Sequence, residues 1–224
     1  MENTHLVIPA RGGSKRRRAI IAFGSLLGVG ALLTTAAFTD VAYLNLNGNS
    51  AFGGGGTSYN IQVVKTDPTT GAQIANQWQE ADDPAGVPLK IDGSDTLFPG
   101  SADISVDIPV RNASPKLKSG LTLSLAQLPD VPGTRETDPN FRSSLRFDVS
   151  MPATHGSAAT NHTNKTFAEV NALALGNLDA GEVSKVTLKI RLLDQATSGA
   201  PYTDDSLQGK AAYLQAVFNG TSIN

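Results

Sequence analysis

The chain has 224 residues and no cysteine, with 40% hydrophobic but only 6% aromatic residues, which excludes a disulfide scaffold, a thiolate zinc site and a cysteine nucleophile. Its formal charge of -2 hides an asymmetry: residues 1–36 hold Arg11, Lys15, Arg16, Arg17 and Arg18 against Glu2, and 37–224 keep 13 basic and 19 acidic residues, a net of -6. A body this acidic lacks the basic face that phosphates require, so no nucleic-acid partner is expected.

Residues 15–18 read Lys-Arg-Arg-Arg, and no charge follows from Ala19 to Thr39. A basic cluster, an apolar run to about Leu33 and the small residues Thr34-Thr35-Ala36-Ala37 have the layout of a secretory signal, with cleavage expected at Ala36 and Ala37. The rival reading is an uncleaved membrane anchor, since the uncharged run is as long as the ~20 residues a spanning helix needs. Gly24, Gly28 and Gly30 weaken that helix. The mature protein is therefore expected outside the cell or at its surface, touching membrane only through an uncleaved signal.

Tyr43-Leu44-Asn45-Leu46-Asn47 alternates apolar and polar residues, a short strand with one apolar face. Gly53–Gly56 follow and read as a flexible joint. A free strand on such a joint has two fates: it adds to the open sheet edge of a neighbour, or it folds back on its own domain.

From Tyr59 the signals are of period two. Ile61 and Val63 alternate with polar residues, 67–71 is a turn, and a weaker strand holds Ile74 and Trp78. The clearest strand is 103–110, where Pro109, having no amide hydrogen, predicts an edge position or pairing on one side there. Further strands are predicted at 121–125, 145–151, 185–192 and 211–218. One helix is predicted over 166–176, from a capping box at Thr166 and Glu169, an apolar face of Phe167, Val170 and Ala174, and a stop at Gly176. About eight short strands, each with one polar and one apolar face, predict an all-β antiparallel sandwich with one short helix, either jelly-roll or immunoglobulin-like.

No residue pattern predicts an enzyme or a resident cofactor. His155 and His162 fall in a polar stretch read as loop, outside any ligand spacing, and there is no Gly-x-Ser-x-Gly elbow or phosphate-binding glycine motif. Asp82-Asp83, Asp92 with Asp95, and Asp204-Asp205 are the candidates for calcium, but turn chemistry accounts for them equally well. Asn112, Asn161, Asn164 and Asn219 match the glycosylation sequon. Trp78 and the tyrosines, which would stack on sugars in a monomeric adhesion or carbohydrate-binding module, read mostly as core.

Three pieces resemble the TasA/camelysin family of bacterial exported proteins: the signal from Leu26 through Ala36-Ala37-Phe38-Thr39-Asp40, the run from Thr96 through Pro99-Gly100 and the alternating strand to Asn112, and the run from Leu178 to Ile190 with the strand after Lys210. The first is similar to signals cut by the SipW-type peptidase. The resemblance implies a jelly-roll sandwich that self-associates into matrix fibres by strand donation, with Phe38, Val41, Leu44 and Leu46 on the donated strand. The metalloprotease label attached to some camelysins finds no supporting residues here.

Overall fold

A computed structural model of the chain describes residues 39–46, 59–198 and 202–223. The signal with Ala36, Ala37 and Phe38, and the glycine run 53–56, lie outside these residues. Residues Phe38–Asn224 make up one compact unit.

Eleven strands are present among the described residues: β1 (Thr39–Leu46), β2 (Ile61–Thr66), β3 (Gln73–Gln79), β4 (Val87–Leu89), β5 (Ile104–Asn112), β6 (Lys118–Gln127), β7 (Leu145–Met151), β8 (Thr160–Lys165), β9 (Leu173–Leu178), β10 (Val183–Leu192) and β11 (Leu214–Ile223). They form a five-stranded sheet in the order β4-β1-β11-β6-β9 and a six-stranded sheet in the order β3-β2-β5-β10-β7-β8. Every pairing is antiparallel except β1 with β4.

The pairs are nested along the chain. β7 pairs with β8, β6 with β9, β5 with β10, and β1 with β11, so each pair encloses the one before it. Successive pairs alternate between the two sheets, which is one long hairpin rolled up, the topology of a jelly roll. Of the two sandwich types predicted, the jelly roll is the one present. β2, β3 and β4 are additions between its first and second strands, widening both sheets.

Period-two alternation explains the core. In β5 the buried residues are Val106, Ile108 and Val110, in β10 Val186, Leu188, Ile190 and Leu192, and in β6 Leu121, Leu123 and Leu125. Phe147 and Phe218, both fully buried, are the largest side chains between the sheets. With no disulfide, this apolar layer is the principal force closing the sandwich. Pro109 stands opposite Lys185 on β10, while the β2 pairing of β5 stops one residue earlier at Val110. A proline inside a central strand is tolerated because only one side of it is paired.

Asn112 ends β5 completely buried, and its amide is used in full. Nδ2 donates to the carbonyls of Leu117, Leu178 and Asp179 at 2.7, 3.2 and 3.1 Å, and Oδ1 accepts from Ser114 N. It ties the β5–β6 connection to the β9–β10 turn, so its sequon match is structural in origin and closed to glycosylation.

The predicted helix at 166–176 is absent. Its capping box forms: Glu169 Oε2 accepts from Thr166 N and Oγ1 at 2.8 and 2.9 Å, and Thr166 Oγ1 accepts from Glu169 N at 3.3 Å. But the box closes a single turn, Ala172 then adopts a positive φ of 51°, and the chain enters β9. Two short helices occur elsewhere, Pro139–Ser144 and Gln195–Ser198, the first capped by Asp138, whose carboxylate accepts from the amides of Asn140 and Phe141. Gly176, read as a helix stop, sits in β9 with φ 127° beside a register shift against β6. A Cβ there would collide with Ser157 Oγ and lie 3.1 Å from Met151 Cε. Gly176→Ala is expected to cost about 2 kcal/mol or more, from strain and collision together, as read by urea unfolding.

Candidate functional site

The first strand is seated in the middle of its own sheet. β1 pairs with β11 over its whole length, from Thr39↔Thr221 to Leu46↔Leu214, and with β4 from Leu44↔Val87 to Leu46↔Leu89. Ala42 and Leu44 point inward and are fully buried, opposite Phe218 and Ala216. Val41 and Tyr43 point outward, each partly exposed, opposite Asn219 and Val217. Among the residues predicted for a donated strand, Val41 therefore does not share the face of Leu44, and Ala42 takes the inward place. Leu46 continues the pairing, while Phe38 lies outside the described residues.

The segment between β3 and β4 runs beside β1 and clasps it: Tyr43 N donates to Ala81 O at 2.7 Å, and Ala81 is buried. On the other side of the strand start, Asp40 accepts a hydrogen bond from Ile61 N, the first amide of β2. Gly220, the residue paired with Asp40 on β11, makes room for this crossing. A Cβ at that position would collide with Ile61 Cγ1 and lie 2.7 Å from the Tyr59 hydroxyl, which is hydrogen-bonded to Ser119 Oγ at 2.7 Å.

Asp40, Glu80 and Asp82 influence one another electrostatically near this crossing. Burial raises the Asp40 carboxyl above the ordinary aspartate range, and the charge of Glu80 pushes the same way against the Ile61 amide. Burial, reinforced by the charges of Asp40 and Glu80 and by a hydrogen bond to Asp40, raises Asp82 to about 6. Glu80 accepts from Asn60 Nδ2, and burial together with the charge of Asp40 outweighs the Ser119 hydrogen bond to push the Tyr59 hydroxyl up to about 12. This cluster was not legible in the sequence, where Asp40 is 40 residues from Glu80 and only the pair Asp82-Asp83 stands out.

The calcium candidates are dispersed. Asp82 belongs to the cluster at β1, whereas Asp83 Oδ1 accepts from Ala85 N in the following turn. Asp92 pairs with Lys90 at 2.9 Å, Asp204 accepts from Gln195 N, and Asp205 accepts from Gln208 Nε2. Among the described residues no group of three His, Asp or Glu side chains has an arrangement able to hold a metal ion.

The histidines are not brought together. His155 Nδ1 contacts Glu182 at 2.9 Å, and His162 Nε2 lies 2.8 Å from Ala174 O. His162 stands on β8, a strand where loop was predicted. Trp78 and the described tyrosines are each partly exposed rather than buried, and the Trp78 ring is covered by the Arg111 guanidinium at 5.7 Å. No helix among the described residues is long and apolar enough to cross a membrane.

Neither a protein-family model nor a curated protein matches this chain. Leu44→Ala is expected to cost about 3 kcal/mol by leaving a cavity between the sheets, and Val41→Ala under about 1 kcal/mol, as read by urea unfolding.

Proposed function

We propose that this protein is an exported structural component of the cell surface or biofilm matrix, a member of the TasA/camelysin type, which assembles by exchanging β1 between copies. The observation that carries the reading is the seat of β1. The first strand after the predicted signal fills a slot between β4 and β11, and its inward residues Ala42 and Leu44 complete the core. Fourteen residues, 47–60, separate it from β2, and Gly53–Gly56 give that connection the composition of a flexible coil.

A slot that accepts its own β1 accepts an identical β1 in the same register, so exchange creates no new contact and loses none. The link is head-to-tail, each copy giving a strand to the next, and a chain of such links that does not close is a filament. Cleavage at Ala36 and Ala37 frees the start of this strand, joining export to assembly in one step. The jelly roll, the acidic body and the resemblance of the signal and of the Thr96–Asn112 run support the same reading.

The absence of native cysteine allows a direct test. Val41 and Asn219 are cross-strand partners on the outward face, at a spacing that accepts a disulfide. The double variant Val41→Cys, Asn219→Cys of residues 37–224, assembled under reducing conditions and then oxidised, is expected to run as a ladder of disulfide-linked multimers on a non-reducing gel. Cross-linking confined to the monomer in assembled material, or the absence of any assembly, overturns the exchange.

A further inference from the structure

Strand exchange concerns the five-stranded sheet alone. The six-stranded sheet carries a groove of about 590 Å³, inside the range of ~300–1,000 Å³ usual for a ligand site. Its floor is a row of side chains crossing the strands: Trp78 on β3 opposite Val64 on β2, then Pro109 on β5 opposite Lys185 on β10. Pro152, just past the end of β7, also lines it, as does Val183, which is 52% exposed.

One wall is made by an irregularity of β3. Between Val64↔Trp78 and Thr66↔Gln73 the chain advances two residues on β2 and five on β3, so the excess residues bulge from the ladder. Asn76 lies in this bulge with a positive φ of 59°, a left-handed conformation that asparagine adopts more readily than most residues. The amides of Asn76 and Gln77 line the groove, both are exposed, and neither has a hydrogen-bond partner among the described residues.

We propose that this groove binds a neutral polysaccharide chain. The face of an indole ring is electron-rich, and the C–H face of a sugar ring, which carries partial positive charge, stacks on it. Trp78 supplies that ring. The Arg111 guanidinium lies 5.7 Å from its centroid and is not part of the lining, so it holds the ring from outside the groove. Sugar hydroxyls both donate and accept hydrogen bonds, and the side-chain amides of Asn76 and Gln77 do the same.

Charge argues for a neutral ligand. Of the lining residues only Glu182 and Lys185 are charged, and each is committed within the fold. Glu182 accepts from His155 N at 2.9 Å and from Asp179 N at 2.7 Å, and Lys185 pairs with Asp107. A peptide added as a further strand is disfavoured, because the bulge interrupts the edge of β3 that it would pair with. The groove does not depend on strand exchange. In a fibre of the kind proposed above, one groove per copy attaches the fibre to polysaccharide at many points.

Trp78 is the single tryptophan of the chain, so intrinsic tryptophan fluorescence reports on the groove directly. Cellohexaose, mannohexaose and chitohexaose titrated into residues 37–224 are the neutral probes, with hexagalacturonate and decaproline as anionic and peptide comparisons. At least one neutral probe is expected to change the emission saturably, with a Kd of roughly 0.1–1 mM, and to bind in calorimetry. In calorimetry Trp78→Ala should weaken that binding about tenfold or more and Trp78→Phe about threefold. Gln77→Ala, and Asn76→Gly, which keeps the positive φ without the amide, should each weaken it about two- to fivefold. Val131→Ala, an exposed apolar residue outside the groove, should leave it unchanged. No saturable response to any neutral probe, or undiminished binding in both Trp78→Ala and Gln77→Ala, overturns the site. A response to decaproline or hexagalacturonate alone overturns the carbohydrate assignment. A monomer-only cross-link in the disulfide experiment would remove the exchange and leave this titration untouched, so the two failures are distinguishable.

Discussion

The fold closes where its first strand meets its last. β1 and β11 are the outermost of the nested pairs, and β11 lies between β1 and β6. β4 belongs to the sheet solely through β1, as its parallel neighbour. The chain therefore cannot complete its five-stranded sheet until residues from both ends are in place. Two pairs in that seam, Ala42 with Phe218 and Leu44 with Ala216, are entirely buried. A seam with this much apolar surface stabilises the sandwich, yet one of its two sides is a short strand at the start of the domain.

The seam is also where the charges are least balanced. On the outer face of the six-stranded sheet, acidic and basic side chains alternate across neighbouring strands, with Asp107 beside Lys185 and Thr187, and Asp148 beside Arg191. Cross-strand pairs of opposite charge are the ordinary way for a sheet to carry charge at its surface. At the start of β1 the arrangement is reversed. Asp40 satisfies the first amide of β2, a buried donor that needs a partner, and its partial burial there raises its carboxyl above the ordinary aspartate range with no cation paired to it.

How much of this was readable in the sequence depended on whether a residue's role is set by its neighbours in the chain or by residues far away. The strands containing Ile108, Leu123, Phe147 and Leu188 announce themselves by alternation because one of their faces is buried and the other wet. β8, Thr-Asn-His-Thr-Asn-Lys, has no apolar residue to alternate and takes an edge position, so it reads as loop. β4 is three residues long, below any period. The Thr166–Glu169 box is a local hydrogen-bonding unit that forms as its spacing predicts, but the helix it predicts is replaced by β9. The four Leu and Ala residues of β9 suit either period, and pairing with β6 decides between them. The carboxyl cluster had no local signature at all, since it is assembled from β1 and a segment 40 residues away.

In the proposed exchange, the competition between the two fates of β1 is decided by concentration against the tether. Exchange exchanges like for like: the same residues meet in the same register, so the contact energies of the closed and linked forms cancel. What remains is that a strand tethered to its own domain by a short connection competes at an effective concentration on the order of millimolar. A free copy at lower concentration loses that competition at equilibrium. Loosening the closed form would not by itself alter this balance, because the same contacts re-form when a neighbour's β1 takes the slot. Its effect would be on rate, since opening of the β1 seam is the step before exchange. On the proposed reading the strength of that seam sets how fast copies exchange strands, and the local density of the protein sets whether the linked form persists.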